Sequence, residues 1–236
     1  LPRCIYKCFS CRTSSSCLSS HIPLLFSRPY CIALFTGNGS IAQYINQDGQ
    51  TNKFGDSTTA VTLTGDNQTL DVDQIGNTNT IAASVVGATQ TFTLKQEGNS
   101  NTSTVSVGAN SASADNSIIQ TITGSQNTTT VNVGNSAASS DADIDLVATG
   151  DSNTITINEN STASMLGDDK KITNITAIGG SNTITSTHTG AADQDTTLHH
   201  TGSSSTFAIT QGGAYDGTVD MTTVGSGHNV TITMDD

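Results

Sequence analysis

The chain of 236 residues is long enough for one or two ordinary domains, but only 33% of it is hydrophobic, 4% is aromatic and Trp is absent. This composition argues against a conventional globular core. The net charge of −12 argues against nucleic-acid binding, which requires basic surface to meet phosphate. No apolar run reaches the ~18 residues of a transmembrane helix, so no membrane span is predicted.

Residues 1–40 form a basic segment that holds all five cysteines: Cys4, Cys8, Cys11, Cys17 and Cys31. The first three have a spacing that iron–sulfur clusters use, and Cys8-x2-Cys11 is half of a zinc site. A cluster enzyme needs alternating helices and strands around such a loop, and the later sequence shows no such alternation. No metal and no cofactor are therefore predicted. Ser40-Ile41-Ala42 resembles a signal-peptidase site, so residues 1–40 are interpreted as a poorly structured export or non-native segment.

From residue 41 onward a Gly-x-x-Asn tetrad recurs, with starts 22–29 residues apart, which is the period of solenoid coils. Two degenerate copies, Gly202…Ser205 and Gly225…His228, bring the number of units to eight. The six complete copies are Gly49…Asn52, Gly76…Asn79, Gly98…Asn101, Gly124…Asn127, Gly150…Asn153 and Gly179…Asn182.

Apolar residues alternate with polar ones on both sides of each tetrad. Positions two, four and six before the Gly, and two and four after the Asn, carry mostly apolar side chains or Gln. This period of two predicts a half-buried strand on each side of a four-residue arc. Gly supplies the positive φ that the arc needs, and Asn tolerates it or bonds its own backbone. The opposite edge carries loops of uneven length: Ala109–Asn116, Asn135–Asp141 and Glu159–Asp169.

A single strand–arc–strand unit buries too little apolar surface to be stable alone, and stacking supplies backbone hydrogen bonds between coils. The sequence therefore predicts an all-β, two-sheet β-solenoid, a cross-β stack of about eight repeats over residues 41–236. The Asn side chains of successive coils are predicted to bond their copies above and below. Gln47, Gln74 and Gln96 point inward in the same phase and predict a second ladder.

Three segments resemble the Gln-x-Gly-x-x-Asn centre of curlin repeats, which build the fibre subunits of bacterial curli: Gln47–Asn52, Gln74–Asn79 and Gln96–Asn101. Curlin repeats are shorter and more uniform, and their closing Gln is missing here. The resemblance implies a secreted subunit of an extracellular, cell-surface amyloid fibre that serves biofilm matrix and adhesion. It implies the chain itself as partner, in a homopolymer, together with a nucleator and an outer-membrane export pore.

Both ends of the predicted solenoid are expected to be open for pairing. The first strand lies around Ile41–Gln47 and the last around Val230–Met234, and neither has a recognisable cap. These ends predict head-to-tail stacking of copies. The outward acidic residues are expected to slow lateral aggregation. They are Asp71, Asp73, Asp145 and Asp220.

The alternative function is a monomeric solenoid that binds a surface, as an adhesin or an ice-binding protein. Thr residues one and three steps past the Asn form a double outward row, which resembles ice-binding solenoids and breaks at Ala82 and Ala208. An enzyme is not predicted, because no nucleophile stands beside an evident base. His199-His200 is interpreted as one outward and one inward residue as readily as a ligand pair.

Overall fold

The computed structural model describes residues 68–76, 78, 80–86, 90–107, 116–133, 142–164, 170–191, 193–213 and 217–235, and before them only strand segments. Every regular element in this part of the chain is a strand. The strands are β1 (Cys4–Ile5), β2 (Ser20–Leu24), β3 (Tyr30–Ile32), β4 (Leu34–Thr36), β5 (Ile41–Asp48), β6 (Lys53–Phe54), β7 (Val61–Thr64), β8 (Gln68–Ile75), β9 (Thr80–Val86), β10 (Thr91–Glu97), β11 (Thr102–Val107), β12 (Asn116–Thr123), β13 (Thr128–Val133), β14 (Ala142–Thr149), β15 (Thr154–Ser164), β16 (Lys170–Ile178), β17 (Thr183–Ala191), β18 (Asp193–Ser203), β19 (Thr206–Gly212), β20 (Gly217–Ser226) and β21 (Asn229–Asp235).

The strands form two parallel sheets, and from β8 onward each coil contributes one strand to each sheet. The strands that precede the arcs make the leading sheet, in the order β2-β5-β8-β10-β12-β14-β16-β18-β20. The strands that follow the arcs make the trailing sheet, in the order β1-β3-β6-β9-β11-β13-β15-β17-β19-β21, with β4 and β7 as a side branch on β9. A parallel pair needs a crossover, and here the arc and the opposite sheet provide it.

Successive coils stack in a constant register around the arcs. In the leading sheet Phe92 pairs with Ile118, and in the trailing sheet Val105 pairs with Val131, which pairs with Ile157. Because side chains alternate with a period of two, this register keeps the same set of positions inside in every coil.

The core between the sheets is built from the positions that alternation predicts to be buried. Its members are less than 3% exposed and include Leu70, Val72, Ile81, Phe92, Leu94, Val105, Ile118, Ile122, Val131, Ile144, Leu146, Ile155, Ile157, Ile175, Ile184, Leu198, Phe207 and Ile209. The predicted all-β, two-sheet β-solenoid is confirmed, with about five well-defined turns. The total of eight repeats stays a prediction.

Two expectations about segments need correction. Glu159–Asp169 is not a loop throughout, because β15 continues to Ser164, and Asn116 begins β12 rather than ending a loop. The strand β5 is not an open end either, since Ser20 to Leu24 of β2 pair with Gln43 to Gln47. Most of residues 1–40 lies outside the described residues, so the interpretation of that segment as export or non-native sequence stays a prediction.

No helix in the described part of the chain is long and apolar enough to cross a membrane.

Candidate assembly ladder and terminal coil

The glycines that open the arcs form a column that only glycine fits. Their φ angles lie between +111° and +126° from Gly76 to Gly179, a region that L side chains rarely adopt. Coils also approach closely here, since a Cβ on Gly150 would lie 2.1 Å from the carbonyl oxygen of Gly124. The backbone of each arc bonds to the next, as when the Gly124 N–H donates to Thr149 O at 2.9 Å. Gly49, Asn52 and Asn79 lie outside the described residues.

The third residue of each tetrad, and not the Asn, carries the second positive φ of the arc. Six residues in this position have φ between +55° and +64°: Thr78, Ser100, Gln126, Ser152, Ser181 and Ser204. The expectation that Asn uses its tolerance of this region is therefore wrong for the described copies. Ser, Thr and Gln are uncommon in the left-handed region, so the arc holds them there against their preference.

The Asn side chains form a ladder that joins side chain to main chain. Asn127 Oδ1 accepts from the N–H of Asn101 at 3.0 Å, and Asn153 Oδ1 accepts from the N–H of Asn127 at 3.1 Å. Asn182 continues the ladder to the N–H of Asn153 at 2.9 Å, and Ser205 Oγ takes the same place for Asn182. In two arcs the Asn Nδ2 also donates to the carbonyl of the opening glycine, as Asn153 does to Gly150 at 3.0 Å.

The ladder therefore differs from the amide stack that was expected, in which Asn side chains bond one another. The four ladder residues Asn101, Asn127, Asn153 and Asn182 are each at most 1% exposed, so an N–H in this column has no water to replace a lost acceptor. Each ladder side chain thus stabilises its own arc and sets the distance between its coil and the preceding coil.

The inward glutamines do bond to each other where the structure describes their side chains. Gln96 Nε2 donates to Gln74 Oε1 at 3.1 Å, and Gln74 Nε2 donates to Thr80 O across the arc. Both side chains are fully buried. Gln47 pairs with Gln74 by backbone register, but its side chain lies outside the described residues. Gln120, which alternation placed inward four residues before a tetrad but which was not assigned to the ladder, is also buried.

A second polar network, which sequence reasoning missed, lies in the core near the loop edge of the later coils. Glu159 Oε2 lies 2.8 Å from His188 Nδ1, and His188 Nε2 lies 2.7 Å from Ser186 Oγ and 3.2 Å from Thr196 Oγ1. Thr196 belongs to a third coil, in which Gln211 Nε2 donates to Thr196 Oγ1 at 3.0 Å. The network joins the two sheets.

The order Ser186–His188–Glu159 is the order of a nucleophile, a base and an orienting acid. All three side chains are at most 1% exposed, so no substrate reaches Ser186 Oγ in this conformation. The sequence contained a signal for these residues. Glu159, His188 and Gln211 each lie six residues past the Asn position of a tetrad, whereas the alternation analysis considered only the positions two and four residues past it.

The coil formed by β20 and β21 ends the described stack. Val230, Ile232 and Met234 continue the inward columns above Phe207, Ile209 and Gln211, yet they are 44%, 44% and 51% exposed. Within the described residues neither strand has a partner on its far side.

Aromatic rings lie where the Asn ladder ends. The ring of His200 lies 4.9 Å from those of Phe207 and His228. Burial lowers the pKa of His200, and the nearby charge of His228 lowers it further, against a hydrogen bond to Ala177 O that raises it. His199, by contrast, points outward, as one of the two sequence interpretations had it.

The outer faces of the two sheets differ in charge. The leading sheet carries Asp residues outward, including Asp71, Asp73, Asp145 and Asp220. Burial raises the pKa of Asp71, and the adjacent Asp73 raises it further. The outer face of the trailing sheet from β11 to β19 carries only Thr, Ser, Asn and Ala at its first three outward positions.

Comparison with known proteins leaves the site to be interpreted from its own geometry. No protein-family model, no curated protein and no solved structure matches this chain. Among the described residues no group of three or more His, Cys, Asp or Glu side chains is placed to hold a metal ion. The five cysteines, for which no metal site was predicted, lie outside the residues whose side chains are described.

Proposed function

We propose that this chain is a secreted structural subunit that stacks head to tail into extracellular, curli-like amyloid fibres for biofilm matrix and adhesion. The observation that carries the proposal is the ladder of backbone and Asn hydrogen bonds that joins successive coils along the axis. Within the described residues, the inward-facing Val230, Ile232 and Met234 of β21 are half exposed, and no strand pairs with the far edge of β21. An uncovered parallel edge with a matching apolar row is a template for another strand.

The arc edge supports the proposal because the described coils repeat the same axial contacts there. Backbone, Asn and Gln bonds all run along the axis from coil to coil, as in cross-β assemblies. A second copy that adds its own coils extends these ladders without a new type of contact. In this proposal β5 becomes the opposite end only after residues 1–40, with β2, are removed, because β2 covers its edge.

The test starts from the full chain and from residues 43–236, each diluted out of denaturant and followed by thioflavin fluorescence, electron microscopy and fibre diffraction. We expect unbranched fibres with reflections at ~4.7–4.8 Å and ~10 Å. The shorter chain should elongate faster because its first edge is free. A folded species that stays monomeric in both forms would overturn the proposal and favour a surface binder.

A matched pair of variants locates the growing end. Ile232→Lys places a charge on the end of the core column, where an incoming coil would have to bury it. Thr233→Lys places the same charge on the outer face of the same strand. We expect the first variant to stop elongation from preformed seeds and the second to elongate normally. Equal elongation by both would contradict stacking through β21.

A further inference from the structure

The outer face of the trailing sheet is a regular array of small hydroxyl and amide side chains, called here the hydroxyl face. Three columns run along the solenoid axis over β11, β13, β15, β17 and β19, in unbroken register. The first column is Thr102, Thr128, Thr154, Thr183 and Thr206; the second is Thr104, Thr130, Thr156, Thr185 and Ala208; the third is Ser106, Asn132, Asn158, Thr187 and Thr210. In the first column all five side chains are exposed.

This face has a chemistry unlike the rest of the molecule. No position in the three columns is charged or aromatic, although the chain carries 20 acidic residues. The columns also bond internally, since Asn158 Nδ2 donates to Asn132 Oδ1 at 2.9 Å. The face is therefore ordered along the axis by its own side chains as well as by the backbone.

The spacing of the hydroxyls suits bound water. Neighbouring strands lie ~4.8 Å apart, and alternate residues along one strand lie ~6.6 Å apart. A water that makes two hydrogen bonds of ~2.8 Å at a tetrahedral angle spans about 4.6 Å, close to the distance between Thr hydroxyls of adjacent coils. Each hydroxyl donates one bond and accepts two, so bridging waters retain bonds for a further layer.

We propose that the hydroxyl face binds ice, by ordering a lattice of water on its Thr columns. A protein partner is not favoured, because interfaces are anchored by Trp, Tyr, Arg and Met, which the columns lack. A crystalline polysaccharide is not favoured either, because the face offers no aromatic ring against which a sugar could pack. The uncharged surface leaves the tetrahedral order of the bound water undisturbed, and the acidic leading sheet keeps the opposite side in liquid water.

The proposal does not depend on stacking of copies, so it is tested on the full chain after fibres have been removed by ultracentrifugation. The measurements are ice recrystallisation inhibition and thermal hysteresis. The test variant is Thr130→Lys with Thr156→Lys, which are paired in register on adjacent coils. The matched control is Thr121→Lys with Thr176→Lys, which changes the net charge equally but lies on the outer face of the leading sheet at similarly half-buried positions.

We expect ice activity in the unmodified chain, its loss in the Thr130/Thr156 variant and its retention in the control. Circular dichroism establishes that each variant folds. Thr130→Val with Thr156→Val keeps the side-chain shape and tests the hydroxyls if the lysine variant does not fold; it should weaken the activity.

Three results would overturn the proposal. The first is that the unmodified chain shows neither ice recrystallisation inhibition nor thermal hysteresis. The second is that the two lysine variants lose activity equally, which would make the effect one of charge alone. The third is saturable binding to microcrystalline cellulose that requires Thr130 and Thr156 in the absence of ice activity, which would assign the face to a polysaccharide.

Discussion

The arc edge of the solenoid and the core beside the loop edge solve the same stacking problem in opposite ways. At the arc edge the described coils from Gly98 to Ser205 use the same kinds of residue: a glycine, a left-handed third residue and a buried Asn or Ser. Beside the loop edge the column changes from Val133 to Glu159, His188 and Gln211 over four coils. Repetition thus sets the spacing of coils, whereas variation on the other side distinguishes one coil from the next.

The largest effect is expected from breaking the glycine column. Gly150→Ala places a Cβ 2.1 Å from Gly124 O and forces φ of +126° on an L residue, so we expect a loss of about 2–6 kcal/mol in the free energy of unfolding. Gly212→Ala is the control, because the nearest atom to its Cβ is Asp235 Cβ at 4.0 Å. Urea denaturation should show a change within about 0.5 kcal/mol for the control.

The buried network beside the loop edge should be the next most sensitive feature. Glu159→Leu removes the partner of His188 Nδ1 inside the core, and we expect a loss of about 1.5–3 kcal/mol. Adding His188→Leu removes the Nδ1 that Glu159→Leu leaves without its partner, and should recover part of that loss. A double-mutant cycle from urea melts measures the coupling; additive losses would show that the two side chains do not act as a pair.

The Asn ladder should cost less to break, because each rung is a neutral hydrogen bond. Asn153→Ala leaves the buried N–H of Asn127 without its acceptor, and we expect a loss of about 1–2 kcal/mol. Asn153→Ser should lose less, since Ser205 accepts the bond from Asn182 in the same place. Thermal melts followed by circular dichroism compare the two; equal losses would mean that filling the site matters more than the acceptor.

The smallest effect is a pH dependence at the terminal coil. The folded pKa of His200 is lowered, so the unfolded chain binds its proton more readily. Its contribution to stability is therefore complete above the unfolded pKa of about 6.5 and declines as the pH falls toward the lower folded value. We expect the melting temperature to fall on acidification through this window. His200→Met should reduce the fall, and an unchanged slope would contradict the assignment.

Asp71 changes the stability with pH in the opposite sense to His200. Its folded pKa is raised above the ordinary Asp value of 3.8, so its stabilising contribution is complete below that value and is lost as the pH rises through the folded pKa. Asp71→Asn should remove this dependence. The two groups give pH slopes of opposite sign, which distinguishes their effects on stability.

The sequence predicted those parts of the fold that depend on a repeated residue type. Alternation around the tetrads identified the buried columns, such as Ile155 with Ile184, and the glycines marked the arcs. The left-handed third residues could not be predicted, because Ser and Gln carry no preference for that conformation and only the surrounding arc imposes it. The pairing of β2 with β5 could not be predicted either, since residues 1–40 contain no tetrad.

The candidate sites were also predicted only in part. The Asn column was predicted by its period, but its bonding was not, because a side-chain amide can reach either another amide or a main-chain N–H. The acidic and Thr rows were predicted from parity alone. Their separation onto the two opposite sheets, one charged and one neutral, becomes visible only when the strands are placed.

The hydrogen bonds of the Asn ladder all point the same way along the solenoid axis, so the two directions along that axis are not equivalent. In every described rung from Asn101 to Ser205 the later coil supplies the side-chain oxygen and the earlier coil supplies the N–H. Two earlier ends would bring acceptor against acceptor, and two later ends would bring donor against donor. In the proposed head-to-tail fibre this direction would give the two ends different chemistry, because an earlier end offers acceptor oxygens and a later end offers donor N–H groups.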